Sequence, residues 1–128
     1  MPGDMKRFSI DELADSLRSC SHVVFSILFG SSVDGTLKSE EADIDLAIFL
    51  DTDATLGILD EIIEVVQKST AHDKIDLSIL NRAGIFLRFE SLNGRLLSCD
   101  NSEIYSDFFS LTCRMYENEI MRIARNLH

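Results

Sequence analysis

The sequence predicts an α/β (α+β) chain in the order α-β-α-β-α-β-α, a small mixed sheet flanked by helices. Three observations carry this reading. Val23–Phe29 is almost continuously apolar, the pattern of a strand covered on both faces. A stretch of helical spacing, Ala54–Ser69, separates the apolar runs Asp43–Leu50 and Lys74–Leu80, and a helix-containing crossover normally joins parallel, neighbouring strands. Ser102–Leu127 repeats apolar residues at intervals of 4, 3, 4, 3 and 4 (Phe109, Cys113, Tyr116, Ile120, Ile123, Leu127), which predicts a long closing helix.

Taken in order, Ser9-Ile10-Asp11-Glu12 has the S-x-x-E form of a capping box and opens a helix from about Ser9 to Ser19. The first strand then runs to Gly30-Ser31. Ser32–Ala42 is expected to hold a short helix or turn broken by Gly35, before the second strand begins at Asp43. In the crossover helix, Leu56, Leu59, Ile63 and Val66 form the expected buried stripe, and the acidic residues near its start suit the helix dipole. Asn81 is placed to cap a helix with Ile85, Phe86, Phe89 and Leu92 as apolar positions, and Asn93-Gly94 reads as its left-handed stop. Arg95–Cys99 is a short fourth strand. In the last helix Phe108, Leu111 and Met115 add a second apolar row, either core or a face for a partner helix or a second copy.

Length and composition set bounds. A chain of 128 residues has room for one domain, taken as 1–128. No apolar run approaches the ~20 residues of a membrane span, so no membrane role is expected. MPGDMKRFSIDEL lacks the apolar core of a signal peptide, so the expected location is cytoplasmic. A net charge of −10 argues against nucleic acid as the main partner and suits a basic protein surface. Cys20, Cys99 and Cys113 have neither zinc nor disulfide-framework spacing and read as buried or half-buried free thiols. His22, His72 and His128 read as surface residues or local hydrogen-bonders.

The chemistry centres on the second strand. Asp43 and Asp45 are two apart and point to the same side of it. At about 4 Å two such carboxylates repel by about 4 kcal/mol at an effective dielectric of 20, a penalty that a divalent cation removes. Mg²⁺ takes one or two carboxylates together with phosphate oxygens and water, and Gly30-Ser31 is a candidate phosphate holder because glycine lets the backbone approach closely. If the second and third strands are parallel, Asp76 reaches the same sheet edge as Asp43 and Asp45. An antiparallel first strand would bring Gly30-Ser31 there too.

Gly30-Ser31 followed by Asp43-x-Asp45 resembles the GS…DxD signature of the DNA-polymerase-β-like nucleotidyltransferase superfamily. At this length the chain is similar to a minimal nucleotidyltransferase, the antitoxin of HEPN toxin pairs. The resemblance implies Asp43, Asp45 and Asp76 as catalytic and metal-binding residues in a two-metal Mg²⁺ site, with Gly30 and Ser31 binding the nucleotide. It implies an antitoxin that transfers AMP from ATP to a tyrosine hydroxyl of a cognate HEPN RNase toxin. A binding-only antitoxin and an enzyme acting on a small-molecule hydroxyl are the alternatives. Association with the toxin or with a second copy through the last helix is a further expectation. Asp34 departs from the pattern by standing where relatives often carry an arginine.

Overall fold

A computed structural model describes residues 5–127, so the reading of His128 lies outside the described residues. The elements run β1 (Lys6–Arg7), α1 (Ile10–Arg18), β2 (Val23–Phe29), β3 (Thr36–Leu37), β4 (Ile44–Leu50), α2 (Leu56–Thr70), β5 (Ile75–Ile79), α3 (Ile85–Leu92), β6 (Arg95–Cys99) and α4 (Ser102–Asn126), with a 3-10 turn at Gly30–Ser32. The main sheet has four strands in the order β5-β4-β2-β6. β4 and β5 are parallel, and β2 is antiparallel to both of its neighbours, as the crossover and the expected edge convergence require. Among the described residues no helix is long and apolar enough to cross a membrane.

Alternation along β4 divides the core. Ile44, Leu46, Ile48 and Leu50 face α1 and α2, where they pack with Leu13, Leu17, Ile62 and Val66. Ala47 and Phe49 face α3 and α4, with Phe25, Ile27 and Phe108. Every residue of β2 is buried, as its almost continuous apolar run predicts. Ser9 caps α1 by accepting from Glu12 N at 3.1 Å.

Several local expectations are corrected. The buried stripe of α2 is Ile62, Val66 and Thr70 rather than one starting at Leu56, which is 77 % exposed. Ile58, in the first turn, packs on the core in the same i, i+4 row as Ile62, Val66 and Thr70, and Leu56 lies off that row. No acidic residue lies in that turn, and Thr55 caps it by accepting from Ile58 N. Asn81 does not cap α3. Its side chain instead accepts from Leu50 N and donates to Leu50 O, both at 2.9 Å, tying the β5–α3 connection to the end of β4. Asn93 is right-handed, with φ −82°, and Gly94 is there for space, since a Cβ would lie 2.7 Å from Phe29 Cβ and 2.9 Å from Ile27 Cγ2.

Between Ser32 and Ala42 the chain forms β3, which pairs with β1 in a separate two-stranded sheet that carried no periodic signal. Cys20 is buried and Cys113 half-buried, but Cys99 is exposed because it ends an edge strand. His22 is exposed and pairs with Asp51 at 2.9 Å. His72 is neither exposed nor local in its bonding. It is 2 % exposed, and its Nε2 lies 2.6 Å from Ala42 O, thirty residues away in sequence.

Replacing Gly94 by alanine should cost about 2 kcal/mol, the usual range for overpacking a tight site. The readout is a lower urea midpoint at unchanged slope. An unchanged midpoint would contradict the close approach of this turn to β2.

Candidate active site

Four pieces of chain meet at one end of the sheet, on the face covered by α3 and α4. β2 ends at Phe29, whose Cα partner on β4 is Asp45. In the parallel ladder the Cα partner of Asp45 on β5 is Asp76. Residues in register on adjacent strands point to the same face, so these two carboxyl groups stand side by side. They are close enough to share a hydrogen bond. Asp43 lies one residue before β4 and is exposed, yet its charge reaches Asp45.

Gly30 completes the contact. Its φ is +78°, a left-handed conformation that disfavours a side chain, and a Cβ there would collide with Asp45 Oδ2. Backbone therefore approaches the carboxylate directly. Ser31 follows, exposed on the 3-10 turn. Ser32, which the sequence offered no reason to single out, is fully buried, and its Oγ has no hydrogen-bond partner among the described residues.

The electrostatics are those of crowded carboxylates. Burial raises the pKa of Asp45 to about 6, and Asp76, Asp43 and Glu90 push it in the same direction. Glu90, on α3, is the residue that sequence reasoning missed. No motif marks it, and only the packing of α3 over the sheet brings it to Asp45. It also lines a cavity of about 240 Å³ with Phe29, Gly30, Val33, Asn93 and Gly94. Cavities of about 360 and 440 Å³ lie around Phe49, Asn81 and Ile104. Phe49 is four residues along β4 from Asp45, roughly 13 Å on at strand rise, so size alone does not locate the chemistry.

The loop that delivers Asp43 is held from several directions. His72 bonds Ala42 O, Ile44 N donates to Lys74 O at 2.9 Å, and Lys74 pairs with Glu41. Asp34 is occupied locally, since its Oδ1 accepts from Thr36 N at 2.9 Å and so shapes the turn into β3.

Among the described residues no three His, Cys, Asp or Glu side chains close on a point able to hold a metal. The donor set nevertheless suits a hard cation, because it is all carboxylate oxygen and its own repulsion opposes ionisation of Asp45. Two carboxylates with phosphate oxygens completing the shell is the usual Mg²⁺ arrangement.

Comparison with known proteins bears on the fold. Residues 11–103 match the family described as Polymerase beta, Nucleotidyltransferase. No curated protein matches the sequence. Among solved structures, a variant of the MntA–HpeT toxin–antitoxin pair superimposes with TM-score 0.73 at 19% identity, over 93% of this chain and 98% of the matched one. A toxin–antitoxin structure with AMP-PNP gives TM-score 0.71 at 21% identity, over 93% and 98%. The structure of a tri-AMPylated Shewanella oneidensis HEPN toxin in complex with MNT antitoxin gives 0.66 at 20% identity, over 92% and 94%. At these identities the likeness is one of fold. The matched span runs from α1 into the start of α4 and takes in every strand of the main sheet, and by that match the chain belongs to the polymerase beta nucleotidyltransferase family.

Proposed function

We propose that the chain is an antitoxin of the minimal nucleotidyltransferase type, which transfers AMP from ATP to a tyrosine hydroxyl of a cytoplasmic HEPN toxin partner and so neutralises it. The observation that carries this reading is the register that seats Asp45 beside Asp76 and against the bare backbone of Gly30. Family membership supplies the reaction class. The choice of acceptor rests on the toxin–antitoxin structures that share the fold.

In this reading Asp43 and Asp45, with Asp76 beside them, hold Mg²⁺. A metal held there would supply positive charge against the triphosphate. Gly30 lets the Asp45 carboxyl lie directly against the turn that would hold the phosphates, and the Ser31 hydroxyl donates to an outer phosphate oxygen. Asp76, the exposed member of the pair, accepts the proton of the incoming hydroxyl. That oxygen bonds the α-phosphorus as the bond to pyrophosphate breaks. Asp34 does not stand against this assignment, because its carboxylate is engaged by its own turn.

The test is intact mass of both proteins after incubating the chain with ATP, Mg²⁺ and the product of the neighbouring gene. A gain of one or more AMP units on the partner is expected, lost in the Asp43→Asn/Asp45→Asn variant. A stable complex without mass gain would overturn transfer in favour of neutralisation by binding alone.

The pH dependence has a definite sign. Folding raises the Asp45 pKa from 3.8 to about 6, so the folded chain holds the proton more tightly than the unfolded one. This contribution to stability is complete below pH 3.8 and is lost as pH rises through about 6. Asp45→Asn should therefore be more stable than the wild type above pH 6 without metal, and equal to it in acid. Mg²⁺ should raise the melting midpoint of the wild type at neutral pH and leave that of the variant unmoved. Melts from acid to neutral pH, with and without MgCl₂, measure both effects.

A further inference from the structure

Of the three aspartates at the candidate site only Asp43 lies outside a strand, one residue before β4 begins. The peptides on either side of it are both bonded to the chain that leads into β5. Ahead of it, Ala42 O lies 2.6 Å from His72 Nε2; behind it, Ile44 N donates to Lys74 O at 2.9 Å. Asp76 follows four residues after His72 in that same chain. The short segment 72–74 therefore sets where Asp43 stands relative to Asp76.

The chemistry of the His72 ring is fixed by its two neighbours. A carbonyl oxygen only accepts, so Nε2 carries the ring proton at Ala42. Nδ1 lies 3.4 Å from the Lys6 ammonium, and an ammonium only donates, so Nδ1 accepts. The two contacts together select one tautomer of the neutral ring. Lys6 also donates to Ala71 O and lies 3.7 Å from Glu40, on the loop that delivers Asp43. Ala71 ends α2 with φ +52°, the left-handed region that side chains disfavour, and this turn brings His72 to the loop. His72 is 2 % exposed, so its bond to Ala42 is shielded from competing water. An apolar side chain could fill the same space, but it would leave Ala42 O without this donor, next to a candidate metal ligand.

We propose that His72 is a positioning residue of the candidate site: by fixing the peptide ahead of Asp43 it sets how tightly the carboxylates take a divalent cation with its nucleotide, and Lys6 of β1 holds the ring in the tautomer that does so. The inference rests on the reading of a metal–nucleotide site given above. It adds the two residues that tune that site from outside it.

The test is calorimetric titration of the full chain with ATP in the presence of Mg²⁺ and without any partner protein. In His72→Phe, which keeps a ring and lacks both nitrogens, affinity should fall about tenfold, the lower end of what losing a group that supports a metal ligand costs. His72→Gln, whose amide can donate near the position of Nε2, should recover most of that loss. Lys6→Met should weaken binding in the same direction and by less. Urea melts show which variants are folded under the titration conditions. A folded His72→Phe that binds as the wild type does overturns the inference. Should that variant not fold, Lys6→Met with unchanged affinity overturns it instead. A His72→Gln as weak as His72→Phe also overturns it, because the donor would then not be the cause. A wild type that does not bind ATP with Mg²⁺ removes the reading of the site, and the inference with it. Binding by the wild type and equally by the variants removes the inference alone.

Discussion

The structure depends on a parallel ladder that places two carboxylates in register. α2 joins β4 to β5, and this crossover makes the strands parallel, with Asp45 opposite Asp76 rather than displaced along the sheet. A one-residue slip would turn Asp76 to the other face, where Ile44, Leu46 and the residues of α1 and α2 form a dry core. The hydrophobic alternation of β4 and β5 therefore holds the carboxylates together against their own repulsion. Folding supplies the force that crowds them, and the raised pKa of Asp45 is the measure of that crowding.

Around this pair the fold removes whatever would block access. Gly30 presents backbone where any side chain would meet the Asp45 carboxyl. Asn81 closes the far end of the same strand by bonding both backbone groups of Leu50, so β4 is anchored at the end away from the carboxylates. At the near end His72 and Lys74 hold the loop that carries Asp43. The two ends thus have different tasks. One is stapled to the scaffold, and the other is positioned while its side chains remain accessible.

The helices divide in the same way. α1 and α2 bury one sheet face with aliphatic side chains. α3 and α4 cover the other with an aromatic cluster in which Phe25 stacks on Phe49 at 5.1 Å and meets Phe108 and Tyr105. That cluster ends before α4 does. Beyond it Ile120, Met121 and Leu127 of α4 are exposed.

The order of elements and the spacing Gly30-Ser31, Asp43-x-Asp45 are properties of the sequence by itself. So is the parallel relation of β4 and β5, because alternation and crossover length are local or nearly local quantities. They pointed to the family and to one sheet edge for Asp43, Asp45 and Asp76 before any coordinates. Tertiary structure alone decided the rest. Glu90 reaches Asp45 only because α3 folds back over the sheet, and His72 is buried only because its turn meets the loop before β4. The core-facing row of α2 is Ile58, Ile62, Val66 and Thr70 rather than the one through Leu56, because docking on the sheet selects among the helix's several apolar rows. Asn81 bonds a strand thirty-one residues away instead of the helix beside it. Each of these depends on contacts between residues distant in sequence, and the periodicity of a single segment contains no information about which partner it will meet.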